Sequence, residues 1–345
     1  MNAAAGFRSP WWLPDAHSQT LWRRFTPSRP LPRQRQRVEL PDGDFLDLDR
    51  LAPEAGQEDA SPVLVLVLHG LCGSSQSPYV LALQRCLQAA GLASVAMNFR
   101  GCSGEQNRLA RAYHSGCTED LEAVFVALRE QGENRPVVGV GYSLGANVLL
   151  KWLAEIGERD GVLGGVAVST PFALAHCSAA LSKGFSRLYG HYFRRLLITQ
   201  VEHKRESFRR QGGMPQELER LEALGDLRRL RTLWDFDDQV TAPLHGFSSA
   251  QDYYERCSSG PGLAQIRRPV TLIQSANDPI IPRGSLPQGD SLPPGIRLQL
   301  TASGGHVGFT SADQPDWLER QVLAAILPML PASDAGHIEV GKRID

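Results

Sequence analysis

Short, almost continuous apolar runs recur along the chain and alternate with stretches whose apolar residues fall at helical spacing. The runs at 63–68 (VLVLVL), 92–98 (LASVAMN), 136–142 (PVVGVGY), 163–169 (LGGVAVS), 270–275 (VTLIQS) and 296–300 (IRLQL) read as strands. Their lack of polar alternation marks strands buried on both faces, the habit of parallel sheets covered by helices. Helical patterns occupy 78–90, 118–131, 144–156 and 315–328, with Thr118 as expected N-cap and Glu119 and Asp120 suited to the positive helix start. Ahead of the first buried strand, RVELPDGDFLDLD places two alternating runs around Asp42-Gly43, a hairpin signal. The expected fold class is therefore α/β: a mostly parallel, doubly wound sheet with an N-terminal antiparallel hairpin.

One interval breaks the rhythm. From 171 to 262 no strand is evident, while AALSKGFSRLYGHYFRRLL and PQELERLEALGDLRRL keep helical periodicity. A structureless loop of that length does not fit inside a compact domain, so a helical cap inserted over the carboxyl edge of the sheet is expected. The layout is then a Pro- and Arg-rich leader (1–37), a core (38–170 and 263–330) interrupted by the cap (171–262), and a C-terminal tail (331–345).

Composition narrows this picture without changing it. With 345 residues, 36 basic against 37 acidic side chains and 42% apolar residues, the chain is ordinary globular material, and bulk charge points to no nucleic-acid partner. Only four of the basic residues are Lys. Six cysteines without a C-x-x-C pair set the expectation of a reducing, cytoplasmic location. The longest aliphatic run is far too short to span a bilayer.

The chemistry concentrates at strand ends. GYSLG (141–145) fits G-x-S-x-G, a weak match alone, but PVVGV before it reads as a strand and ANVLLKWLAEI after it as a helix, the context of a nucleophile elbow. A serine hydroxyl needs a base within hydrogen-bond reach, itself held by a carboxylate. Asp278 in SANDPII follows the strand VTLIQS, and His306 in SGGHVGF follows IRLQL, so both fall on the sheet edge where Ser143 projects. Ser, Asp, His is also the chain order of α/β-hydrolases. The backbone N–H groups of Leu71, in HGLCGSS (69–75), and of Leu144 are the candidate oxyanion donors, and His69 reads as a loop brace.

HGLCGSSQSPY, NFRGCSGEQNRLARAYHSG, GYSLGANVLLKWL, TLWDFDDQVTAPLHGF, DYYERCSS and GGHVGF together resemble the YheT-like esterase branch of the α/β-hydrolase superfamily, and PDAHSQT is similar to that branch's leader. The resemblance runs from about residue 8 to 330, with Ala146 departing from the Gly commoner there. It implies the α/β-hydrolase fold, Ser143 as nucleophile with Asp278 and His306 as partners, a small-molecule ester as substrate, carboxylic-ester hydrolysis through an acyl-enzyme, and no cofactor. A fold-sharing binding protein without turnover, and perhydrolase or carbon-carbon hydrolysis on the same triad, are the alternative functions.

Three other features read as structural. DFDD (235–238) orders the cap rather than holding a metal, since Asp235, Asp237 and Asp238 depart from the spacing of a calcium loop. Arg100-Gly101 in NFRGCSG braces the site's rim, and Cys72 and Cys102 line it. From Lys183 to Arg210 eight basic residues face only Glu202 and Glu206, with Leu181, Phe185, Leu188, Tyr192 and Leu196 at helical spacing. That pattern suits solvated cap helices packed on the pocket, or weak contact with a membrane surface. The oligomeric state is not readable.

Overall fold

A computed structural model describes residues 6–25, 29–53, 61–212, 214–288 and 291–331. Eight strands form one sheet: β1 (Gln34–Glu39), β2 (Phe45–Leu51), β3 (Leu64–Leu68), β4 (Ala93–Asn98), β5 (Val137–Tyr142), β6 (Val162–Val168), β7 (Val270–Ser275) and β8 (Ile296–Thr301). Their order is β1-β2-β4-β3-β5-β6-β7-β8. β1 pairs antiparallel with β2, and β2 antiparallel with β4; every other pairing is parallel. The expected fold class holds: the ends of the six apolar strands shift by at most one residue, while the hairpin strands begin three residues before and end two residues after the run that announced them.

Strand β3 shows why the central runs are apolar, whereas β8, at the sheet edge, leaves Arg297 exposed and is not buried on both faces as expected. Successive side chains point to opposite faces. Leu64, Leu66 and Leu68 join one apolar cluster with Leu121, Phe125 and Trp152, while Val65 and Val67 join another with Val80, Leu83 and Trp317. The first face is covered by α3 (Thr118–Glu130) and α4 (Leu144–Ile156), the second by α2 (Pro78–Ala89) and α11 (Trp317–Ile326).

Between β6 and β7 the described residues hold helices and no strand: α5 (Leu174–Ala180), α6 (Arg187–Gln211), α7 (Pro215–Glu222), α8 (Leu233–Phe236), α9 (Ala242–His245) and α10 (Ala250–Cys257). Asp237–Thr241 forms a π-helical turn between α8 and α9. The leader holds a helix the pattern did not announce, α1 (Ala16–Phe25). Its two buried side chains, Gln19 and Arg23, are polar, while its apolar Leu21, Trp22 and Phe25 face solvent, so no apolar stripe marks the buried face. Of the tail, residues 332–345 lie outside the described residues.

Thr118 is not an N-cap: it is the first helical residue of α3, and Cys117 occupies the cap without a side-chain bond. The preceding turn already engages the entering backbone, with the N–H groups of Cys117 and Thr118 donating to the carbonyls of His114 and Gly116. Asp120 meets a guanidinium instead of merely facing the helix dipole. Buried Arg100 donates from Nε and Nη2 to both oxygens of Asp120 (2.8 and 2.6 Å), and from Nη1 to Asp42 and Asp44 (2.7 and 3.2 Å) in the hairpin turn. Three carboxylates share that cation. Removing one partner of such a buried set leaves uncompensated charge and costs about 3–5 kcal/mol. Arg100→Met should lose that much stability in urea unfolding; a loss under about 1 kcal/mol would show that solvent or Arg111 compensates.

Candidate active site

Strand β5 runs into α4 through one residue, Ser143, with φ +51° and ψ −117°. A non-glycine residue rarely adopts this backbone, and its cost of about 1–3 kcal/mol persists only where neighbours enforce it. The Ser143 N–H donates to Val168 O (2.8 Å), and its carbonyl accepts the Asn147 N–H (3.1 Å). Gly141 and Gly145 make the turn sterically possible. A Cβ at Gly141 would stand 2.5 Å from the Ala146 Cα, and one at Gly145 would stand 2.5 Å from the His69 carbonyl oxygen. Asn147, which sequence reasoning passed over, is fully buried and locks the base of α4. Its Nδ2 donates to the carbonyls of Ser115 and Cys257 (both 2.7 Å), and its Oδ1 accepts the Ser259 N–H (2.9 Å).

The loops after β7 and β8 bring Asp278 and His306 to this turn. His306 Nε2 lies 2.8 Å from Ser143 Oγ, and His306 Nδ1 lies 2.8 Å from Asp278 Oδ2. The Asp278 side chain is 0% exposed and that of His306 10%. Asp278 Oδ1 accepts the N–H groups of Ile280 and Ile281 (2.8 and 3.0 Å), which fixes the carboxylate's orientation. A carboxylate on Nδ1 holds that nitrogen's proton, so Nε2 presents its lone pair to the hydroxyl. Such an arrangement can draw a proton from Ser143 Oγ as it attacks an electrophile.

Helix α1 supports the histidine from the other side. The His306 N–H donates to Thr20 Oγ1 (2.9 Å), which itself donates to Ala16 O (2.7 Å). Gln19 Oε1 accepts the Thr310 N–H and its Nε2 donates to Thr310 O (2.9 and 3.0 Å), while Arg23 pairs with buried Glu319. The leader is thus part of the site's scaffold.

Leu71 and Leu144 both line the cavity above Ser143. The N–H groups of Gly70 and Cys72 are taken by the hydroxyls of Tyr79 and Tyr113 (2.9 and 2.8 Å). Among the described residues, the N–H groups of Leu71 and Leu144 have no acceptor. Two backbone donors beside a serine hydroxyl are what a developing oxyanion requires. His69 braces the loop. Its Nε2 accepts the Phe99 N–H (3.2 Å) and its Nδ1 faces Gly70 O (2.8 Å), and burial lowers its pKa to about 4, so it stays neutral.

The cavity measures about 890 Å³ and is largely apolar, walled by Leu174, Leu181, Tyr189, Phe193, Leu197 and Ile280 among others. Cys72 and Cys102 line it too, and burial pushes both thiols up to about 12, which leaves them protonated. The aspartates of DFDD go separate ways. Asp235 closes a capping box with Thr232, Asp238 accepts the Ala250 N–H (2.9 Å), and Asp237 accepts the hydroxyls of Thr241 and Tyr254 (2.7 and 2.6 Å). Burial raises the Asp237 carboxyl to about 6 against the pull of those two bonds.

The family model described as the alpha/beta hydrolase fold matches residues 63–313. The YheT protein of Escherichia coli (strain K12), an esterase by name, is 42% identical over 290 residues, spanning 83% of this chain and 82% of that protein. Phospholipase ABHD3 of Homo sapiens is 27% identical over 310 residues (88% and 73%). Monoacylglycerol lipase of Saccharomyces cerevisiae is 30% identical over 266 residues (74% and 57%). Among solved structures, the Pyrococcus furiosus esterase Pf2001 superposes with a TM-score of 0.54 at 16% identity, covering 89% of this chain and 96% of that one, which speaks for the fold alone. Elbow, sheet order and these likenesses agree: the chain belongs to the α/β-hydrolase fold family, as an esterase- or lipase-type member of its YheT-like branch.

Proposed function

We propose that the chain is a serine carboxylesterase in which Ser143, His306 and Asp278 form the catalytic triad. The observation that carries this reading is the pair of 2.8 Å contacts, Ser143 to His306 and His306 to Asp278, opening onto an apolar cavity. Ser143 Oγ attacks the ester carbonyl carbon as its proton passes to His306 Nε2. The carbonyl π pair moves to oxygen, and that anion meets the N–H groups of Leu71 and Leu144. Collapse breaks the bond to the alcohol, which leaves with the proton from His306. Water then attacks the acyl-serine, again giving its proton to His306, and a second collapse frees the carboxylic acid and restores Ser143.

The helices inserted between β6 and β7 act as the cap and select the acyl group, since Leu181, Tyr189, Phe193 and Leu197 come from α6 and the turn before it. An apolar cavity of this size suits a medium acyl chain and excludes a bulky polymer.

A fluorophosphonate probe should label the chain stoichiometrically at Ser143. On a graded series of p-nitrophenyl esters, kcat/KM should rise from acetate to medium chains, each buried methylene contributing about 0.8 kcal/mol until the cavity is full. Absence of labelling favours a binding protein without turnover. Fast hydrolysis of a polymeric ester contradicts the cap's role.

A further inference from the structure

The apolar residues left facing solvent are not scattered. Of the nine large apolar side chains exposed among the described residues, eight lie on two short stretches, the N-terminal segment through α1 and the start of α6. Trp11 (89% exposed), Trp12, Leu21, Trp22 and Phe25 (72%) come from the first; Phe185, Leu188 and Tyr192 come from the second. The two stretches touch. The His17 ring lies 4.3 Å from that of Phe185, its Nδ1 is 3.1 Å from Tyr189 Oη, and the Arg24 guanidinium bonds the Tyr192 hydroxyl and covers its ring at 4.8 Å. Leu21, Phe25, Phe185, Leu188 and Tyr192 also line the cavity. Five of the eight thus border the cavity that holds Ser143, and Trp12, in ring contact with Trp22 of α1, extends the patch beyond it.

Its charge has one sign. No acidic residue occurs from Ala16 to Val38 or from Gly161 to Val201. Arg24, Lys183, Arg187 and Arg195 are exposed there, and none is in an ion pair with a described residue. The nearby Asp15 is occupied by the N–H groups of His17 and Ser18, and Asp313 by Arg8. The rest of the basic stretch is spent elsewhere. Lys204 is buried on the carbonyls of Leu109 and Arg111, Arg205 holds the carbonyls of Leu221 and Gly225, and Arg209 and Arg210 pair with Glu222 and Glu206. Tryptophan and tyrosine beside exposed cations is the composition that sits at the headgroup level of a bilayer, ring toward the acyl region and cation toward phosphate.

We propose that this aromatic and basic rim docks the chain on an anionic phospholipid surface, so that the cavity mouth faces the bilayer and its ester enters from the lipid phase. The docking is separable from the reaction, because it uses residues outside the triad and is read without turnover.

The full chain should co-sediment with phosphatidylglycerol vesicles at low salt, less at physiological salt, and poorly with phosphatidylcholine, since cations near an anionic surface act within a Debye length. Binding should shift its tryptophan emission to the blue. Two variants test the two components: Trp11→Ser with Trp12→Ser, and Lys183→Gln with Arg187→Gln and Arg195→Gln. Each should weaken vesicle affinity by about tenfold or more while leaving hydrolysis of p-nitrophenyl acetate unchanged. No sedimentation at low salt, equal binding to both lipids, or affinity unchanged in both variants overturns the proposal. So does a wild-type dimer in analytical ultracentrifugation that the tryptophan variant converts to monomer, for then the patch is covered by a second copy of the chain.

Discussion

Ser143→Ala should lower kcat on a short p-nitrophenyl ester by about 10⁴- to 10⁶-fold while leaving the chain folded. Loss of the nucleophile in a triad costs on that order because the remaining groups cannot form the covalent intermediate, and residual rate comes from the oxyanion donors and binding alone. Stability should change little, since alanine keeps the Cβ and therefore the strain at φ +51°. Replacement by glycine makes the same point from the opposite side. It removes the hydroxyl equally, yet its free access to positive φ relieves the turn, so Ser143→Gly should be as inactive but no less stable. Steady-state rates with thermal unfolding of both variants check this; activity within tenfold of wild type in either assigns the reaction to another nucleophile.

The second large effect is expected at Asp278. In Asp278→Asn the N–H groups of Ile280 and Ile281 still demand an acceptor, so the amide oxygen turns to them and the amide nitrogen faces His306 Nδ1. Two donors cannot meet there. The imidazole shifts its proton to Nε2, the atom 2.8 Å from Ser143 Oγ, and the base loses its lone pair where it is needed. Turnover should fall by about 10⁴-fold with KM nearly unchanged, because substrate contacts are untouched. Asp238→Asn is the control, since that carboxylate serves only the Ala250 N–H among the described residues. If it abolished turnover and Asp278→Asn did not, the acid would be the wrong one.

The leader and the Arg100 cluster mark where sequence reading stops. Local pattern records which face of an element is apolar; it does not record which distant charge a buried polar side chain meets. Arg23 finds Glu319 and Gln19 finds Thr310 nearly 300 positions away, so the packed face of α1 is polar and its support of His306 through Thr20 was invisible. Arg100 is likewise explained only when the hairpin and α3 bring Asp42, Asp44 and Asp120 to it. Lys204 and Arg205 belonged by composition to a solvated basic face, yet α6 turns both inward onto carbonyls.

What the amino-acid sequence determined by itself was everything with a short period or a local steric cause. Apolar runs required strands covered on both faces in the middle of the sheet, and the glycines at 141 and 145 required a turn with no room for a Cβ at either position. Because parallel strands present their carboxyl ends on one edge, the placement of Asp278 and His306 just past two such strands was enough to bring them to the side of Ser143. Only the tertiary structure decided the distances among those three groups, which amides stay without a partner above the serine, and that the exposed aromatic residues of α1 and α6 gather at one mouth. Each of these depends on contacts between different elements of the fold, from 28 positions apart for Asp278 and His306 to 163 for Ser143 and His306, and chain packing alone selects among the many pairings that local propensity leaves open.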